Sequence, residues 1–194
     1  MMKRALAGVS FTLLMVCAVP ARADCADLWN WLEKGCRRIA DTWKDGNDEI
    51  LFSGYSWHVP GTWTDERRAE LNQDSWGGGY GRTVEEPNGD THTVFYLGFL
   101  DSHKNWQSNL GYSWNTFWGD RDKPQVGLGY TAMIIQRPDI ASGVPVPVLL
   151  PLLTFRYQQA NLVMTYIPNL GGGINHGSVL YIFGRYTLDT KYDR

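Results

Sequence analysis

The sequence predicts an all-β protein: an eight-stranded antiparallel up-and-down transmembrane β-barrel preceded by an N-terminal amphipathic helix. Three observations carry this reading. First, 194 residues include 21 Gly, nine Trp, ten Tyr and seven Phe; turns need glycine, and pleated faces favour aromatics. Second, from about residue 50 the apolar period becomes two, in eight segments of roughly ten residues, long enough to cross a bilayer when tilted. Third, a mean hydropathy of −0.32 is too low for a bundle of spanning helices. It suits strands that turn only alternate residues toward lipid.

The elements follow in chain order. Lys3 and Arg4 precede an uncharged run of 16 residues, 5–20, and Ala21-Arg22-Ala23 supplies a small-x-small cleavage pattern. Residues 1–23 therefore read as a secretory leader cut after Ala23. A helical anchor is the alternative, but 16 residues are short for about 30 Å of hydrocarbon. The expected mature domain, 24–194, loses Lys3, Arg4 and Arg22, so 15 basic residues face 20 acidic ones, a net charge of −5. That balance excludes a nucleic-acid partner.

Residues 24–45 form the one convincing helix. Leu28, Leu32, Cys36, Ile39 and Trp43 recur at helical spacing, with Trp29 and Trp31 beside them and charges opposite. Such a helix suits a membrane–water boundary; an ordinary surface helix on a soluble core has the same pattern. Cys25 and Cys36 would lie about 16 Å apart inside one helix, so a disulfide requires Cys25 to leave the helix or fold back. Pattern alone leaves both states open.

The barrel is expected over about 50–188, with strands at 50–58, 76–86, 91–101, 110–117, 126–133, 146–157, 160–168 and 177–188. Glu86-Pro87-Asn88-Gly89-Asp90 and Asn169-Leu170-Gly171-Gly172-Gly173 are clear turn signals between them. Aromatics near strand ends, such as Trp57, Trp76, Trp114, Trp118, Tyr166 and Tyr186, fit the girdles of a membrane barrel. A soluble barrel of the lipocalin kind is the structural alternative. Trp76-Gly77-Gly78-Gly79-Tyr80-Gly81 has strand flanks, so its glycines read as close strand packing or a bulge, not as a phosphate loop.

Four histidines, His58, His92, His103 and His176, form no metal-ligand spacing, and no GxSxG elbow occurs. Neither a metal nor another cofactor is expected. In an up-and-down barrel the first and third strands run the same way. His58 and Asp101-Ser102 then share one rim, where a base, a carboxylate and a hydroxyl can cooperate in acyl transfer. Unrelated polar residues at strand ends would give the same spacing.

Several segments carry a resemblance: Ser56-Trp57-His58, Trp76 to Gly81, Asp101-Ser102 with Trp106, Gly111-Tyr112 and Gly127-Leu128-Gly129-Tyr130-Thr131-Ala132. The most specific are Pro145-Val146-Pro147-Val148-Leu149-Leu150-Pro151-Leu152 and Met164-Thr165-Tyr166-Ile167-Pro168. In this order, over nearly all of the mature chain, the sequence resembles the lipid A palmitoyltransferase family, PagP. The resemblance implies a monomeric enzyme of the Gram-negative outer membrane, with its active site facing outside. It would move palmitate from the sn-1 position of a glycerophospholipid to a hydroxyacyl chain of lipid A, hardening the membrane against cationic antimicrobial peptides. It implies His58 as base, Asp101 orienting it and stabilising charge, and Ser102 as polar stabiliser or nucleophile; direct transfer is favoured.

The same resemblance places the acyl-chain ruler at Ser113, where the family carries glycine, and a lateral gate at Pro151 and Pro168. At a second gate the family's prolines are replaced by Ser53 and Ser75, which predicts a weaker or differently shaped opening. Thr91 replaces a common tryptophan and would enlarge part of the interior. Residues 189–194 add a polar tail after the last strand. A catalytically silent barrel and a soluble lipid carrier are the competing functions.

Overall fold

The computed structural model describes Cys25, residues 29–169 and residues 176–188. The expected leader, Leu28, the 170–173 part of the last turn and the 189–194 tail lie outside the described residues. Helix α1 (Asn30–Asp45) leads into β1 (Asn47–His58), α2 (Asp65–Glu70), β2 (Gly77–Glu85), β3 (Thr91–Leu100), β4 (Trp106–Trp118), β5 (Gln125–Gln136), β6 (Val146–Tyr157), β7 (Ala160–Ile167) and β8 (Val179–Thr187). Each strand pairs antiparallel with the next, and β8 pairs with β1, closing the barrel.

Strands β4 and β5 run beyond their apolar segments because polar residues extend the ladder, as in Ser108↔Gln136. Helix α2 interrupts the expected loop after β1. The Thr64 hydroxyl accepts the Arg67 N–H at 3.4 Å, and Asp65 and Glu66 occupy the first turn, where carboxylates favour a helix.

Helix α1 turns Trp29, Ile39 and Trp43 outward, the disposition of a helix lying at an interface. It is tied to the β2–β3 end of the barrel by Arg38 and Glu86 at 2.6 Å and by Trp43, edge-on to Tyr80 at 6.1 Å. Cys25 stands outside the helix and forms a disulfide with Cys36, their Cα atoms 5.9 Å apart. That settles the alternative left open by the pattern.

Where β1, β3, β5 and β7 finish, the connections are 59–76, 101–105, 137–145 and 168–178; at the other end they are 86–90, 119–124 and 158–159. Long loops at one rim and short turns at the other are the usual form of an outer-membrane barrel. Along β5, Val126, Leu128, Tyr130 and Ile134 point outward. The interior is divided. Toward the long loops it holds Phe95, Leu97, Phe99, Leu152 and Phe183; toward the short turns it holds Glu49, Thr93, Asn115, Arg156 and Arg185, all buried.

In β2 a Cβ at Gly77 would collide with the Gly98 carbonyl of β3, and one at Gly79 with the Tyr96 carbonyl. These glycines permit close strand approach, as the sequence predicts. Gly79→Ala should therefore destabilise the barrel by about 1–3 kcal/mol, read as a lower denaturant midpoint in micelles. Gly35→Ala, on a helix surface with nothing within 4 Å, should stabilise by about 0.5–1 kcal/mol.

Candidate active site

The loop-bearing rim is assembled from the end of β1, the β3–β4 turn, the start of the β5–β6 loop and the start of β8. His58 faces the lumen because of a fault in β1. Its buried positions are odd-numbered through Ser53 and even-numbered from Ser56. A register shift against β8 at Ser53/Tyr55 makes the change. Side chains alternate with a period of two, so one extra residue moves every later side chain to the opposite face. Without that bulge Trp57 would face the lumen and His58 the lipid. Gly54 sits at the bulge, where a Cβ would come 2.8 Å from the Ile182 carbonyl.

His58 is 2% exposed. Its Nε2 lies 3.0 Å from Ser102 Oγ, and its Nδ1 has no hydrogen-bond partner among the described residues. Trp63 packs edge-on against the ring at 5.1 Å, and its indole N–H donates to the Ser178 carbonyl at 2.9 Å. When the Ser102 hydroxyl donates, Nε2 presents its lone pair at the rim, the state a general base needs.

Asp101 does not make the contact with His58 that its expected orienting role requires. Its Oδ1 accepts the N–H groups of His103 and Asn105 at 2.9 and 2.7 Å, and its Oδ2 lies 3.3 Å from Arg137 Nε. The carboxylate thus builds the turn that presents Ser102, whose carbonyl also accepts the Asn72 N–H at 3.0 Å. Asp101, His103 and Asp139 could bring three ligand atoms to a cation within 4.8 Å of one another. However, Arg137 Nε, 2.6 Å from Asp139 as well, already pairs with both carboxylates. Arg137 and Trp63 were not singled out from sequence; neither falls in a recognisable motif.

Below this rim lies a cavity of about 550 Å³, walled by Phe95, Leu97, Phe99, Tyr181 and Phe183 and reaching down to Ser113 and Arg185. The volume falls within the roughly 300–1,000 Å³ of ligand sites. From Asp101 to Thr93, β3 rises about 27 Å, or about 20 Å along the axis at a tilt near 40°. That exceeds the roughly 15 Å of one leaflet's hydrocarbon. Ser113 is 1% exposed, and its hydroxyl accepts from Arg185 Nη1 at 3.2 Å. Thr91 does not enlarge this cavity; it lines a separate space of about 50 Å³ nearer the short turns.

Among the described residues, one seam of the wall beside the cavity is left unpaired. Strands β6 and β7 pair only from Leu152↔Thr165 down to Tyr157↔Ala160. Above that, residues 146–151 pair with β5, while Tyr166 and Ile167 pair with β8. Pro151, Tyr166 and Pro168 line both the gap and the cavity. Pro151 sits at the base of the gap, where its carbonyl accepts the Thr165 hydroxyl at 2.9 Å. Proline has no N–H to leave unpaired in lipid, so it is the residue that tolerates such an opening.

The seam between β1 and β2 is closed instead. Beyond Phe52↔Gly78 the loop before β2 continues the ladder: Ser75 N–H donates to the Gly54 carbonyl at 2.9 Å and Ser56 N–H to the Gln73 carbonyl at 2.8 Å. The hydroxyls of Ser56 and Ser75 meet at 2.7 Å, and Ser53 meets Tyr181 at 2.6 Å. A proline at position 75 could not donate the bond to Gly54.

A family model described as antimicrobial peptide resistance and lipid A acylation protein PagP matches residues 38–185. Proteins named lipid A acyltransferase PagP are similar over nearly their whole length. One from Bordetella parapertussis is 35% identical over 180 residues, 92% of this chain and 96% of its own. Another from Methylobacillus flagellatus is 32% identical over 177 residues, 91% and 95% respectively. A third from Legionella pneumophila is 32% identical over 184 residues, 91% and 96%. With its closed eight-stranded barrel and preceding helix, the chain belongs to the PagP family.

Proposed function

We propose that this chain is an outer-membrane acyltransferase that moves a long acyl chain, palmitoyl in the first instance, from the sn-1 position of a glycerophospholipid to a hydroxyacyl chain of lipid A. The observation that carries the reading is the His58–Ser102 pair at the mouth of an apolar cavity that opens laterally toward lipid. The family match supports the reaction class. Residues 1–23 serve as the export leader and 24–194 as a monomeric working domain, its long loops outside. The product, a more heavily acylated lipid A, packs more tightly and resists cationic peptides.

The donor's acyl chain lies in the cavity, with its ester carbonyl at the rim. The lipid A hydroxyl attacks that carbonyl carbon while His58 Nε2 takes the hydroxyl proton. The tetrahedral intermediate collapses, the carbon–oxygen bond to glycerol breaks, and the proton passes from Nε2 to the glycerol oxygen. The products are acylated lipid A and a lysophospholipid. Ser102 donates its hydroxyl hydrogen bond to Nε2 at rest and to the developing oxyanion in the transition state. Asp101 is a positioning residue for Ser102 through the turn it caps.

Three outcomes test this. In detergent, a phospholipid isotopically labelled in its sn-1 chain should label lipid A; His58→Ala should cut the rate about 10²–10⁴-fold while the folded barrel keeps its fast electrophoretic migration. No transfer by the folded wild type leaves the silent barrel. In vesicles, Pro151→Ala with Pro168→Ala should slow transfer more than in detergent, because the β6–β7 seam can then pair. In intact cells, an impermeant maleimide should label Arg67→Cys on exposed α2, whereas Lys123→Cys in the β4–β5 turn should react only after permeabilisation. The reverse labelling overturns the orientation.

A further inference from the structure

Ser113 is the position that the family resemblance marks as the ruler, yet the floor of the cavity is not built from its bulk. Arg185, on β8, is 4% exposed and reaches across the lumen to the opposite wall. Its Nη1 donates to Thr93 Oγ1 of β3 and Ser113 Oγ of β4, each at 3.2 Å, and lies 3.8 Å from Glu49 Oε2 of β1. Glu49 is 1% exposed and also accepts from the Thr187 hydroxyl at 3.5 Å. Among the described residues, Arg185 alone lines both the upper cavity and the smaller space beneath it. The guanidinium is the partition between them.

We infer that Arg185, held by Glu49, Thr93 and Ser113, sets the maximum length of the acyl chain; this rests on the acyltransferase reading above. Down to Phe183 and Phe95 each added methylene exchanges water or lipid for apolar wall. At Arg185 the surroundings change abruptly. A further methylene gains no apolar contact and must part hydrogen bonds to a buried charge, which are among the strongest in a protein. The chain end stops against a charged bar, not against a side chain of chosen size. The Ser113 hydroxyl contributes by anchoring that bar.

The test is a competition among phospholipids whose sn-1 chains differ stepwise by two carbons, given to purified protein in detergent, with product lengths read by mass spectrometry. Glu49→Gln with Arg185→Ala removes the bar without leaving a lone buried charge. It should raise the longest chain transferred by at least one two-carbon step. Ser113→Gly, which leaves Thr93 and Glu49 on Arg185, should move the limit less. Thr93→Val with Ser113→Ala is nearly isosteric, keeps the ion pair and guards against misfolding of the first variant; it should broaden the limit. An unchanged length profile in either folded multiple variant, or a limit lengthened only by Ser113→Gly, overturns the inference. No transfer of any chain by the wild type would instead overturn the acyltransferase reading.

Discussion

A strand in hydrocarbon has no water to satisfy its peptide groups, and each unpaired N–H or C=O costs several kcal/mol. Eight strands meet this constraint by closing β8 onto β1. Every departure from full pairing then needs a local excuse. Between β6 and β7 the excuse is Pro151, and the result is an unpaired stretch of wall beside the cavity. Between β1 and β2, where serines stand, residues 73–75 complete the ladder and no opening results. The wall with a proline at this level is left unpaired, and the wall with serines is not.

The interior solves a second problem. A wholly apolar lumen of this length would extend to the short-turn end. The end toward the short turns instead holds a hydrogen-bonded layer in which Arg185 ties β8 to β1, β3 and β4. Removing one partner of a buried ion pair costs about 3–5 kcal/mol because it strands the other charge, so Glu49 and Arg185 stand or fall together where the helix and short turns attach. The upper part is walled largely by apolar side chains, borders the unpaired β6–β7 seam and holds the His58–Ser102 pair at its mouth. Rigid floor and open mouth follow from the same division of side chains.

Much of this was legible in the sequence. Alternation gave all eight strands, as in β5, where outward Val126, Leu128, Tyr130 and Ile134 leave an unmistakable period of two, and β6 falls at its predicted bounds. The shared rim of His58 and Ser102 followed from strand direction alone. Other features were hidden by their nature. The bulge at Gly54 changes parity without changing composition, so the inward turn of His58 was not derivable from alternation. Asp101's commitment to the 103–105 backbone and Arg137 depends on loop geometry, which leaves no periodic trace. The partner of Ser113 lies 72 residues away on the far wall, and only closure of the barrel brings it there.

The proposed transfer places the donor's acyl chain in the lumen between the His58 rim and the Arg185 floor. A phospholipid carrying a photoactivatable group at the end of its sn-1 chain tests this directly, with the adducts mapped by peptide mass spectrometry. Adducts are expected on residues at the cavity floor, Ser113, Thr131, Phe183 and Arg185. Adducts confined to the outward-facing Leu110, Leu128 and Tyr130 would contradict it.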